Sequence, residues 1–114
     1  MSTRCVINFT YGKEPSAKIY RHYDGYPVAV EPDLERFFRD VEAQTEDTRF
    51  TDASYLAAKF VVWQAHEYSD QKGNLDFLGV GVIVEDPGDI EFIYTVDCGK
   101  MTKDRRPTVS YEPL

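Results

Sequence analysis

Apolar and polar residues alternate at the start of the chain, which is the pattern of a half-buried strand. Over residues 4–11 one face of an extended chain carries Cys5, Ile7, Phe9 and Tyr11. Turn-forming residues follow at 12–16, and residues 17–24 are again rich in Ile and Tyr. The two segments therefore predict a β-hairpin.

The middle of the chain changes to a helical period. We predict a first helix that opens at Glu31-Pro32-Asp33, because Pro and acidic residues suit the first turn. Its apolar stripe has the spacing i, i+3, i+4, i+7: Leu34, Phe37, Phe38 and Val41. A second helix is predicted from Ala53 to about Tyr68, with Thr51 as its cap. Its apolar residues cover more than one face, so we expect burial between the sheet and either the first helix or a partner chain.

Strand patterns return in the last third of the chain. Residues 75–84 and 90–96 flank Pro and Gly at the centre of Asp86–Asp89, which predicts a second hairpin. Residues 107–111 predict a short edge strand. The order β-β-α-α-β-β, with one more β, predicts an α+β fold in a single domain over residues 1–114. We expect an antiparallel sheet of four or five strands with both helices on one face.

Composition and charge narrow the classes of partner. The chain has 114 residues, of which 42% are hydrophobic and 14% aromatic, enough to fold without a metal or a disulfide. The formal net charge of -7 disfavours nonspecific binding to nucleic acids or anionic membranes. No apolar run reaches the roughly 18 residues of a membrane span, and residues 1–4 carry no signal-peptide pattern. We therefore expect a cytoplasmic protein.

The residue types that bind metals are few and scattered. Cys5, Cys98, His22 and His66 occur singly, without the paired spacing of zinc sites, so we predict no metal and no cofactor. In a reducing cytosol, two buried thiols are expected rather than a disulfide, in segments that could be neighbours in the sheet.

The most distinctive string is residues 19–27. On a strand, Tyr20, His22 and Asp24 share one face and Arg21 and Tyr23 the other. A carboxylate beside an imidazole could form a general base. The interpretation we favour is structural: Arg21 bridges tyrosine rings and a carboxylate, for which Glu67 is one hypothesis. We predict no catalytic residues, and the candidate residues for binding a ligand or partner are Tyr20, Arg21, His22, Tyr23, Asp24 and Tyr26.

The string Ile19-Tyr20-Arg21-His22-Tyr23-Asp24-Gly25-Tyr26-Pro27, with residues 52–60, resembles a set of small proteins of unknown function from bacterial, prophage and phage genomes. The resemblance covers about the first two-thirds of the chain. It implies a small stand-alone accessory protein and assigns no site.

Three classes of function remain, in order of preference. The first is an accessory or interaction protein that binds a protein partner through residues 20–26, and a homodimer would be one way to cover its aromatic residues. The second binds a small anionic or aromatic ligand such as a nucleotide, with Arg21 on phosphate and a Tyr ring on the base. The third is a hydrolase-type enzyme that uses His22 and Asp24.

Overall fold

A computed structural model gives the architecture of the chain and describes residues 3–68 and 78–114. The α+β class and the order of the elements are confirmed. The elements are β1 (Cys5–Tyr11), β2 (Glu14–Arg21), α1 (Pro27–Gln44), α2 (Ala53–Tyr68), β3 (Val80–Ile83), β4 (Phe92–Met101) and β5 (Pro107–Pro113).

The strands form one mixed sheet in the order β3-β2-β1-β4-β5. The pairs β1–β2, β2–β3 and β4–β5 are antiparallel, as expected. The central pair β1–β4 is parallel, which the sequence did not indicate. The parallel pair arises because β3 runs in the same direction as β1, and the crossover connection that follows β3 brings β4 beside β1 in that same direction.

The predicted hairpin between residues 75–84 and 90–96 is wrong. β3 pairs with β2, with Lys18 opposite Ile83, whereas β4 pairs with β1 on the other side of the hairpin. The connection between them crosses the sheet face that lies away from the helices, where Lys18 forms an ion pair with Asp86 at 2.9 Å. The Pro-Gly turn is thus part of a crossover loop. Residues 75–77 of the predicted strand lie outside the described residues.

Both helices pack on one face of the sheet, as predicted. Alternate residues of β1, namely Cys5, Ile7 and Phe9, point into a core that also holds buried side chains of α1 and α2. An aromatic cluster joins the layers: the Phe60 ring lies 5.8 Å from that of Phe9 and 5.2 Å from that of Phe37, centroid to centroid. Phe60 of α2 therefore contacts both the sheet and α1.

The first helix begins four residues before the predicted start. Pro27 occupies its first turn, where a missing N–H costs nothing, and Pro32 lies inside the helix. The helix continues through Pro32 because the lost bond is one near the solvent-exposed N-terminal end.

The second helix has the predicted bounds but a different cap. The Asp52 carboxylate, rather than the Thr51 hydroxyl, accepts a hydrogen bond from the backbone N–H of Tyr55 at 3.1 Å. Within the described residues, no helix has the length and apolar character that crossing a bilayer requires.

The turn between β2 and α1 requires a glycine. Gly25 donates a backbone hydrogen bond to Thr3 O at 2.9 Å, and its carbonyl accepts one from the buried Tyr94 hydroxyl at 2.7 Å. A Cβ at this position would lie 2.9 Å from both Thr3 O and Cys5 Cβ. The N-terminal strand and the turn are therefore packed without space for a side chain.

We predict that Gly25→Ala lowers the free energy of unfolding by about 1–3 kcal/mol, because the methyl group forces packed backbone apart. Gly88→Ala is the matched control, since a Cβ there has nothing within 4 Å. It should change stability by less than about 0.5 kcal/mol. Urea denaturation of both variants checks this, and equal midpoints would contradict the close packing at Gly25.

Candidate functional site

The six candidate residues do not converge on one site, because β2 directs Tyr20 and Arg21 to opposite faces of the sheet and the other four follow the end of the strand. Arg21 lies opposite Cys5 in the ladder and shares its helix-covered face. Tyr20 lies opposite Val6 and Gly81, on the other face. The strand thus separates the guanidinium from the Tyr20 and His22 side chains.

Around and beyond the end of β2, the other candidate side chains pair with near neighbours. The Tyr20 hydroxyl and His22 Nδ1 lie 2.9 Å apart, in hydrogen-bond contact. The Tyr23 ring meets the His22 ring edge-on at 4.7 Å between centroids. The Tyr26 hydroxyl donates to Asp24 Oδ1 at 3.3 Å. His22 and Asp24 each have a tyrosine as partner here, so the geometry does not assemble the imidazole–carboxylate pair that a general base needs.

Arg21 is buried, with only 1% of its surface exposed. Its Nη2 donates to Asp33 Oδ2 at 2.8 Å, and its Nε donates to the Tyr23 carbonyl at 2.9 Å. The guanidinium also lies 5.4 Å from the centre of the Tyr68 ring. The structural interpretation of Arg21 is confirmed for the carboxylate, and the ring contact of the guanidinium is with one tyrosine, Tyr68.

The carboxylate that pairs with Arg21 is Asp33 of α1, so the Glu67 hypothesis is wrong. Glu67 is half-exposed and pairs with Arg36 at 3.0 Å. Arg36 also donates to Asp33 Oδ1 at 3.3 Å, and the Tyr68 hydroxyl donates to Asp33 Oδ2. A sequence signal existed: Asp33 lies beside Leu34, four residues before Phe37, and so falls on the apolar stripe of α1.

A small cavity of about 250 Å³ lies beside this ion pair, at the end of β2. Three of the six candidate residues line it, together with residues that the sequence did not single out. The lining residues are Arg21, Tyr23, Asp24, Gln64, Tyr68 and Gly79.

A larger groove of about 740 Å³ runs between α1 and α2. Phe37, Val41 and Trp63 contribute apolar surface, and Lys59 and Glu67 contribute charge. Asp40 anchors Trp63 by accepting a 2.7 Å hydrogen bond from the indole Nε1. The floor of the groove is therefore fixed by the packing of the two helices.

The α2 side of this groove carries an exposed row, formed by Tyr55, Ala58 and Val62. The spacing i, i+3, i+7 places these residues on one face of the helix. Val62 is 59% exposed and Tyr55 is 48% exposed. The sequence signal for this surface is indirect: α2 carries apolar residues on more than one face.

The two cysteines are buried free thiols, as predicted, and they lie on neighbouring strands, an arrangement that the sequence left open. Burial raises the pKa of Cys5 to about 12 and that of Cys98 to about 11, although nearby Arg21 opposes the shift at Cys5. Thiols with such pKa values are poor nucleophiles at neutral pH. In the part of the chain that the structure describes, no cluster of three or more His, Cys, Asp or Glu side chains is arranged to hold a metal ion.

Comparison of the chain with protein-family models, with curated proteins and with solved structures finds no match in any of the three.

We predict that Asp33→Asn lowers the free energy of unfolding by about 3–5 kcal/mol, because it leaves the Arg21 charge buried without a counter-charge. Glu67→Gln removes a half-exposed ion pair and should cost at most about 1 kcal/mol. Chemical denaturation at one low protein concentration compares the two. A larger loss for Glu67→Gln would show that the wrong carboxylate has been assigned to Arg21.

We also predict that Cys5 and Cys98 resist alkylation by iodoacetamide at pH 8 in the native protein and react at the rate of free cysteine in denaturant. Burial keeps both thiols protonated and excludes the reagent. Mass spectrometry of timed samples counts the labelled sites. Rapid labelling of either residue in the folded protein would contradict the burial.

Proposed function

We propose that this chain is an interaction protein that acts as a two-fold homodimer, formed by packing the exposed row of α2 into the groove of a second copy. The observation that carries the proposal is the row itself, since Tyr55, Ala58 and Val62 expose apolar surface along one helix face beside an apolar groove. A helix that is apolar around its circumference needs a cover on every side. The sheet and α1 provide only part of that cover.

The surface contains both parts of a helix–helix contact, an exposed apolar row and an apolar groove beside it. Val62 lies on the exposed row, and Phe37 and Trp63 supply the apolar floor of the adjacent groove. A two-fold axis brings the row of each copy to the groove of the other, which is the self-complementary arrangement of most homodimers. With 16 residues, α2 is about 24 Å long, enough for several turns of contact.

The charges along the groove favour an antiparallel pairing of the two α2 helices. Lys59 and Glu67 both line the groove and lie eight residues apart, about 12 Å along the axis. Antiparallel helices centred on residues 62 and 63 bring Lys59 of each copy towards Glu67 of the other. A parallel pairing would place like charges together instead. The local charge pattern thus supports a second copy as the occupant, although the whole chain carries a net charge of -7.

Other aspects of the chain fit an interaction protein better than the alternative classes. The net negative charge disfavours nucleic acid as the partner. The separate pairing of His22 with Tyr20 and of Asp24 with Tyr26 gives no support to a hydrolase at these residues.

Val62→Asp tests the proposed dimer, because it places two carboxylates near the two-fold axis. We expect the dissociation constant to rise at least a hundredfold, since opposed like charges cost several kcal/mol at an interface. Val84→Asp is the matched control, because Val84 is 89% exposed and lies outside the groove. Sedimentation equilibrium measures both. A wild-type monomer, or equal dimers in the two variants, would overturn the proposal.

A charge reversal tests the antiparallel register. Lys59→Glu creates two repulsive contacts with Glu67 across the interface, and we expect the dissociation constant to rise about fivefold or more at low ionic strength. Lys103→Glu makes the same change of net charge on an exposed turn between β4 and β5, outside the lining of the groove. If the two variants weaken the dimer equally, net charge rather than the proposed register is responsible.

A further inference from the structure

We propose that the cavity at the end of β2 binds a small, neutral, planar ligand that carries a carbonyl acceptor beside an N–H donor, as a nucleobase does. The cavity is separate from the groove between the helices, because the two share no lining residue. The inference is therefore independent of the proposed dimer.

The polar edge of the site comes from two buried side chains. Arg21 is 1% exposed and Gln64 is 3% exposed, and both line the cavity. Arg21 Nη1 lies 3.5 Å from Gln64 Oε1, the long limit of a hydrogen bond, whereas Nε and Nη2 have acceptors at 2.9 and 2.8 Å. Nη1 carries two hydrogens, so it can donate to a ligand carbonyl at little cost to the contact with Gln64.

The charges around the cavity favour a neutral ligand over an anion. Asp33 already neutralises Arg21 through its 2.8 Å ion pair. A second carboxylate, that of Asp24, lines the same cavity and can accept a hydrogen bond from a ligand N–H. A phosphate group would meet a compensated cation and an uncompensated carboxylate. The nucleotide hypothesis, with Arg21 on phosphate, is thus replaced by recognition of a base-like edge.

The walls and the volume favour a flat ring. Tyr23 and Tyr68 both line the cavity, and aromatic side chains offer faces or edges to a planar ligand. The volume of about 250 Å³ lies below the roughly 300–1,000 Å³ of pockets for drug-sized molecules. It suits one small ring system.

The test is a thermal-shift and calorimetric titration of the full chain with uracil, cytosine, adenine and guanine. Inorganic phosphate is the anionic comparator. A base present at a hundred times its dissociation constant should raise Tm by about 10 °C. Binding should persist in Val62→Asp, because that substitution lies in the helix groove and not at the cavity.

Two variants locate the site. Gln64→Leu keeps the volume but removes the amide, and it should weaken binding of the base at least tenfold. Asp24→Asn should reduce affinity several-fold with the fold intact, since Asp24 adopts φ 52°, a conformation that Asn tolerates. Val84→Asp, outside the cavity, should bind as the wild type does.

Saturable binding of at least one base, with losses in both cavity variants, is the expected result. No binding of uracil, cytosine or adenine at millimolar concentration, and none of guanine up to its solubility limit, would overturn the proposal. Stabilisation by phosphate alone, or binding of a base that Gln64→Leu and Asp24→Asn leave unchanged, would also overturn it.

Discussion

The buried ion pair between Arg21 and Asp33 is the constraint on which the rest of the structure depends. It joins the end of β2 to α1, and Tyr68 extends the contact to the end of α2. Removing two charges from water is costly, so such a pair persists only when further hydrogen bonds complete it. Here Asp33 accepts from Arg21, Tyr68 and Arg36, and these contacts fix the N-terminal part of α1 and the end of α2 relative to the sheet.

Both surfaces to which we assign function adjoin this ion pair. The cavity opens beside the Arg21 guanidinium, while Arg36 extends from Asp33 to the groove, where it lies 5.3 Å from the centre of the Trp63 ring. One set of charges thereby positions a polar pocket on one side and an apolar groove on the other. The string at residues 19–27 is distinctive largely because two of its residues are structural. Arg21 forms the ion pair, and Gly25 packs against the N-terminal segment.

The sequence predicted the elements better than it predicted their neighbours. The apolar run from Ala53 to Tyr68 located α2 correctly, because its signal is local. Strand pairing is not local: the Pro-Gly turn at residues 86–89 indicated a hairpin, yet β3 instead pairs with the free side of β2. The sequence places the start of α1 too late because Pro32 suits a first turn, whereas Pro27 fills that position. In each error the local sequence fits two alternatives, two pairing partners for β3 or two prolines at the start of α1, and the structure uses the one that the sequence did not favour.

At the candidate site too, the sequence predicted local features but not the contacts between residues far apart in the chain. The pattern of alternation correctly separated Arg21 from Tyr20 and His22, and it indicated a carboxylate partner for Arg21. It could not say which of several acidic residues lay nearest, because that depends on the rotation of α1 over the sheet. The cavity and the groove arise from residues far apart in sequence, such as Gly79 beside Arg21, so no local pattern predicts them.

A double-mutant cycle on Arg21 and Asp33 tests the central claim most directly. Arg21→Met, Asp33→Leu and the double variant are compared with the wild type by the free energy of unfolding. If the pair organises the fold, each single change leaves a buried charge alone and costs about 3–5 kcal/mol. The apolar double variant should then recover much of that loss, with a coupling of about 2 kcal/mol or more. Additive losses, with a coupling below about 0.5 kcal/mol, would contradict the account.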